Sequence, residues 1–311
     1  MAFIGLPCPK KTAGMRVAAA GSVIGASSQP SDVERRVPSP MTLGRVPAGG
    51  RVPGVAARPG VAFGAMRVLV PLPDHDFDTT EVAVPWRLLT DLGHTFTFTT
   101  EHGGTAPQCD PRLLDGVLFG KLGADPEAKR FYEALTQAPE FTDPVAWKTI
   151  EPSDHDGLLL PGGHAPGMRQ YLASATLQEI VSRFWNLERP VGAICHGVLV
   201  LARATDPRTG RSPLAAVRTT CLPKFMERSA YLATFWKLGR YYRTYPAYVE
   251  DEVKAALDDP SQFVRGPRGT RRGTATDDGP AFVVQDGRYL SARWPGDAYL
   301  LARRFHDLLT A

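Results

Sequence analysis

Cysteine 195 is followed at once by histidine, within the run Val191-Gly192-Ala193-Ile194-Cys195-His196-Gly197-Val198-Leu199-Val200. Small residues flank a nucleophile that lies between two apolar stretches, which is the pattern of a nucleophile elbow. At such a strand-to-helix turn the backbone is crowded, so the flanks must be small and the central side chain is pushed out over the sheet. A thiol at the amino end of a helix meets unpaired N–H groups that favour thiolate, and its pKa is expected below the usual value of about 8.5. The plain alternative is a core cysteine, because free cysteine is among the most buried residue types. The small flanks and the adjacent histidine favour the reactive reading. His196 has two possible uses: its imidazole can act as a base, or, since neighbouring side chains on a sharp turn diverge, only its backbone N–H contributes.

The elements that must position this pair alternate from Met66 onward. The apolar run 67–72 reads as a buried strand, and a polar turn follows at 73–78. Val82, Ala83, Trp86, Leu88 and Leu89 recur at helical spacing and end at Leu92-Gly93; the period-two stretch 95–100 is a second strand. A helix is expected at 126–135, a third strand at 156–163 ending in the Gly162-Gly163 turn, and a helix at 174–187 leading to the elbow. Beyond it come a strand around 217–221, an aromatic-rich stretch at 225–248, a helix near 250–257, a hairpin at 281–292 turning on Asp286-Gly287, and a terminal helix through Leu309. Strand, helix, strand repetition points to an α/β, flavodoxin-like, doubly wound sheet, mostly parallel and sandwiched by helices. In such sheets ligands sit at the carboxyl ends of strands. The loop with Glu81, the Gly162-Gly163 turn and Cys195-His196 all fall there.

Composition narrows the classes. The chain has 311 residues, 43% of them hydrophobic, with a formal net charge of +4. Residues 1–65 hold eight Lys/Arg against two Asp/Glu, leaving 28 against 30 beyond them, so the folded part is not basic and gives no case for nucleic acid. That first segment is rich in Gly, Pro and Arg, repeats Arg-Val-Pro at 36–38, 45–47 and 51–53, and reads as a disordered tail, with an organelle-targeting segment or an over-extended coding start as alternatives. Residues 66–311 form the expected single domain. Four cysteines, Cys8, Cys109, Cys195 and Cys221, are widely spaced with no zinc pattern, which fits a reducing, cytoplasmic setting. No apolar run reaches the roughly twenty residues of a membrane span, so no membrane partner is expected.

Taken together, Asp78-Thr79-Thr80-Glu81, Leu160-Pro161-Gly162-Gly163-His164 and Ala193-Ile194-Cys195-His196-Gly197 resemble the DJ-1/PfpI superfamily of the class I glutamine amidotransferase-like group, in particular its Hsp31-like branch. The resemblance implies a homodimer and a cysteine-dependent enzyme acting on a small carbonyl substrate. Glyoxalase III, which turns methylglyoxal into lactate without glutathione, or a protein-repair enzyme of the family leads over a PfpI-type cysteine amidase or peptidase and a non-catalytic stress chaperone or redox sensor. By the same resemblance Cys195 is the nucleophile, His196 its neighbour and Glu81 the acid that contacts the thiol; backbone N–H groups of the Gly162-Gly163 turn and of His196 would hold an oxyanion. Asp78-x-x-Glu81 is also a capping box, and the two uses are compatible. His164 reads as a loop residue. The acid that would stand behind His196 is unassigned among Asp154, Asp156 and Glu227. No cofactor is expected, and His75, His94 and His102 are too scattered to suggest a metal.

Overall fold

The computed structural model describes residues 64–117 and 120–311, so the reading of 1–65 as a tail falls, but for its last two residues, outside the described part. Seven strands form the main sheet. Strand β1 (Arg67–Pro71) buries Val68, Leu69 and Val70 and pairs in parallel with β3 (Thr95–Thr100), which in turn pairs with β5 (Val145–Ala146). On its other side β1 pairs with β6 (Gly157–Leu160), then β7 (Val191–Ile194) and β9 (Tyr289–Ala292), all parallel, and β8 (Val283–Asp286) closes the edge antiparallel. A separate pair joins β2 (His75–Phe77) to β4 (Gln108–Cys109).

The order β5-β3-β1-β6-β7-β9-β8 has a topological consequence. From β1 the chain winds outward through β3 to β5, then returns to β6 and winds the other way. The crevice between β1 and β6 is therefore the switch point, where successive connections diverge and leave room at the strands' carboxyl ends. Helices Thr79–Asp91, Pro126–Leu135 and Ala298–Leu309 pack together as one group; Met168–Ala173, Ala175–Trp185, Val198–Arg203 and Val249–Ala255 pack as another. Covered by helices, β6 and β7 are buried along their whole length, which is why their sequences read as unbroken apolar runs rather than alternating ones.

One expected strand is corrected. Residues 217–221 make only an isolated parallel bridge between Thr219 and Phe263, because side chains of the neighbouring hairpin take the adjacent amides: Arg218 N donates to Asp286 and Thr220 N to Ser291 Oγ. The short strands β2, β4 and β5 carry too few residues for a periodic signal and lie in stretches that read as turn or loop.

Phe305, on the terminal helix, supports the strands that carry the elbow. Its ring lies where a Cβ at Gly157 or Gly192 would be 2.8 or 3.2 Å away, so both strands present bare backbone to it. Phe305→Ala is expected to destabilise the protein by about 3–5 kcal/mol through the lost burial and the cavity left beneath β6 and β7, measured by urea denaturation.

Candidate active site

Cys195 follows β7 directly and has φ +57°, in the left-handed region that few side chains other than glycine adopt. A 3-10 turn, Cys195–Gly197, and the short helix Val198–Arg203 complete the elbow. Gly197 is required by packing: a Cβ there would stand 2.0 Å from the Leu160 carbonyl oxygen. The elbow thus closes tightly onto the end of β6.

The turn after β6 is gripped from the opposite side by the start of the first long helix. Asp78 caps that helix, its side chain accepting from Thr80 N and Glu81 N. A full capping box would send the Glu81 carboxylate back to the Asp78 N–H. Instead Asp78 N donates to the Gly162 carbonyl at 2.8 Å, and Glu81 Oε2 accepts from the Gly162 N–H at 2.8 Å. Half the box is made, and Glu81 is released across the crevice to the β6 turn. A Cβ on Gly162 would lie 2.7 Å from His196 N, so this glycine lets the turn touch the elbow backbone. The expectation that the Gly162 N–H serves an oxyanion is corrected, since Glu81 already accepts it. Gly163 abuts the Asp76 carbonyl and the Met168 side chain.

The two side chains of the elbow do not diverge. Cys195 Sγ is 3.5 Å from His196 Nδ1, and the Glu81 carboxyl lies close enough to the thiol that each alters the other's proton affinity. Cys195 is 1% exposed. Burial above all, with the carboxyls of Glu81 and Asp78 behind it, pushes the thiol well above its ordinary pKa, against the pull of the His196 N–H. The expected lowering is therefore corrected: the helix after the elbow has only six residues, and loss of water outweighs it. Burial and the neighbouring Asp78 hold Glu81 well above the usual carboxylate range. Asp78 itself is raised to about 6, chiefly by burial. His196 is held well below its ordinary value by burial, His164 and Arg203.

Two further sets of residues join the site. His164 is buried, not an ordinary loop residue; its ring meets His196 with centroids 4.8 Å apart and Tyr242 at 5.0 Å, and burial lowers its pKa to about 4. Tyr245 lies 6.0 Å from the His196 ring. The aromatic stretch therefore divides. Tyr242 and Tyr245 wall the elbow, anchored by Thr244 Oγ1 donating to the His164 carbonyl and by Tyr241 OH donating to Asp110, while Leu232, Phe235 and Trp236 face outward from helix Lys224–Leu238. The hydroxyls of Tyr171, Tyr242 and Tyr245, together with Glu81 Oε1 and His164 Nδ1, are buried without a hydrogen-bond partner.

No third acid completes a triad among the described residues. Asp156 accepts from Arg67 N and the Asp154 carbonyl from the Arg67 guanidinium, at the amino end of β1. Glu227 accepts from Val249 N and pairs with Arg243 at 3.6 Å. None of the three hydrogen-bonds to His196.

Residues 72–267 match the family described as ThiJ/PfpI family-like. An uncharacterized protein of Schizosaccharomyces pombe is 26% identical over 84% of this chain and 90% of its own length. A deglycase of Pyrococcus abyssi is 25% identical over 78% of this chain and 99% of its own. Among solved structures, glyoxalase III of Candida albicans shares the fold with a TM-score of 0.58 at 18% identity, covering 78% of this chain and 97% of that one.

The opposed shifts of Asp78 and His164 have a measurable signature. Asp78, raised in the fold, contributes stability at low pH that is lost as pH climbs through about 6; His164, depressed, contributes stability at neutral pH that is lost as pH falls through about 4. Each amounts to about 3 kcal/mol. Relative to the parent, Asp78→Asn, which keeps a capping oxygen, should gain stability between pH 4 and 6, and His164→Gln should gain it between pH 6.5 and 4. Urea denaturation across that range checks both signs.

Proposed function

This chain belongs to the ThiJ/PfpI family, and on that premise we propose that residues 66–311 form a cysteine-dependent enzyme that converts small 2-oxoaldehydes to 2-hydroxy acids, as a glyoxalase III does. The observation that carries the reading is the buried Cys195 thiol, 3.5 Å from the His196 imidazole with the Glu81 carboxyl beside it. In a resting site driven toward neutrality, the thiol keeps its proton until substrate arrives. His196 Nδ1 then takes the proton as the sulfur adds to the aldehyde carbon. The C–S bond forms while the carbonyl electron pair moves to oxygen, which the backbone N–H of His196 is assigned to stabilise once the sulfur has moved onto carbon.

From this thiohemiacetal, removal of the proton on the former aldehyde carbon gives an enediol, and its return to the adjacent carbon gives a thioester of the 2-hydroxy acid. One carbon is oxidised and its neighbour reduced, so no external oxidant is needed. Glu81, held on the Gly162 amide beside the thiol, is the group we assign to take that proton as a carboxylate and to return it, as the acid, to the adjacent carbon. Water then cleaves the thioester and restores the thiol. Cys109, Cys195 and Cys221 are free thiols, which supports a reducing, cytoplasmic setting; no helix among the described residues is long and apolar enough to cross a membrane. A homodimer belongs to the same reading.

With the full chain and methylglyoxal, lactate formation is the expected result. Cys195→Ser should reduce it to background, and Glu81→Gln, which keeps the Gly162 contact but cannot exchange a proton, should lower kcat by about 10²–10⁴-fold. Absence of lactate from the parent, with hydrolysis of amide reporters in its place, would overturn the assignment.

A further inference from the structure

His164, Cys195 and His196 offer three ligating atoms that all lie within 4.8 Å of one another, and all three residues are buried. Cys195 Sγ and His196 Nδ1 are already 3.5 Å apart. Around a tetrahedral zinc ion, with Zn–S near 2.3 Å and Zn–N near 2.0–2.1 Å, ligand atoms stand about 3.3–3.6 Å from each other. The first pair thus has the separation a shared cation imposes. The third lies within 4.8 Å of both. A second observation is independent of the clustering: His164 Nδ1 is buried with no hydrogen-bond partner, although the residue is only 9% exposed. A buried ring nitrogen left unpaired is unfavourable unless something occupies the space it faces.

We propose that His164, Cys195 and His196 form a binding site for a thiophilic cation of the Zn2+ class, with one thiolate and two imidazoles as ligands. One sulfur and two nitrogens suit borderline-soft metals and not the hard, oxygen-seeking Mg2+ or Ca2+. On binding, the S–H bond breaks, a sulfur–metal bond forms, and the proton leaves to solvent. Three protein ligands leave a fourth position for water or a small thiol. The group Asp74, Glu101 and His102 differs in kind, being made mostly of oxygen donors, with Glu101 and His102 exposed and Asp74 half-buried. Capture of the cation needs only the three ligands. That it silences turnover rests on the reading of Cys195 as nucleophile, because a sulfur held by metal cannot add to a carbonyl.

Cobalt(II), a spectroscopic stand-in for zinc, tests the site. Titrated anaerobically into the reduced full chain, it should give a sulfur-to-cobalt charge-transfer band in the near ultraviolet together with tetrahedral d–d bands, both bleached by added Zn2+. Cys195→Ser should abolish the charge-transfer band while Cys109→Ser keeps it, and His164→Gln should weaken binding at least about tenfold. A parent without the band, or a His164→Gln variant with unchanged affinity, overturns the site. Turnover measured in the same titration separates the two readings. Inhibition that tracks the optical midpoint supports both; a normal band with no lactate activity in the metal-free parent leaves the metal site standing and removes the catalytic assignment.

Discussion

The peptide of Gly162 is the joint on which this site depends. Its carbonyl accepts from Asp78 N and its N–H donates to Glu81, so one peptide unit fixes the start of the first long helix to the turn after β6. Its missing side chain lets the same turn lie against the His196 and Gly197 amides of the elbow. Three strand ends are thereby held in register at the one place where the sheet's winding leaves a crevice. Alanine there would have to displace backbone, and the strand ends would part. Hydrogen bonds of this kind contribute modestly to stability one at a time. Their weight lies in geometry, since they set the carboxyl and the thiol side by side.

Burial then decides the protonation of everything gathered at that joint. Water is excluded, and each group moves toward its neutral form: the thiol and the carboxyls upward, the imidazoles downward. The outcome is a compact set of proton donors and acceptors within reach of one another, each held closer to its neutral form than it would be in water. Such a set can pass a proton without first separating charge in a medium that would penalise it. Much of the enclosure comes from the segment 241–245, tied at Thr244 to the His164 loop. That tie places Tyr242 and Tyr245 over the two histidines.

What the sequence discloses and what it withholds divide along a physical line. The elbow, the Asp78 cap and the paired glycines are local backbone devices, and local devices impose residue types at fixed spacing. Ala193, Cys195 and Gly197 can be read for that reason, and so can the helix at Pro126–Leu135 and the hairpin on Asp286-Gly287. His164 could not be read as part of the site, because its role comes from Tyr242, nearly eighty positions away, and from the ring of His196. The same holds for the lost strand at 217–221: its pattern is that of a strand, but side chains from the β8–β9 hairpin occupy the amides a neighbour would need. The direction of the Cys195 shift also escapes the sequence, since the helix dipole is a local quantity and burial is a property of the whole fold.

The backbone at Cys195 carries a last implication, one of competing selection. A left-handed conformation costs an L-residue of order 1 kcal/mol, which glycine would not incur. Glycine at 195 would relieve that backbone strain and remove the thiol. The side chain of cysteine and an unstrained backbone pull in opposite directions at this single position, and the elbow stores in its backbone the tension between them. Drift toward thermal hardiness in this scaffold would be expected to erode the thiol before it touched the sheet.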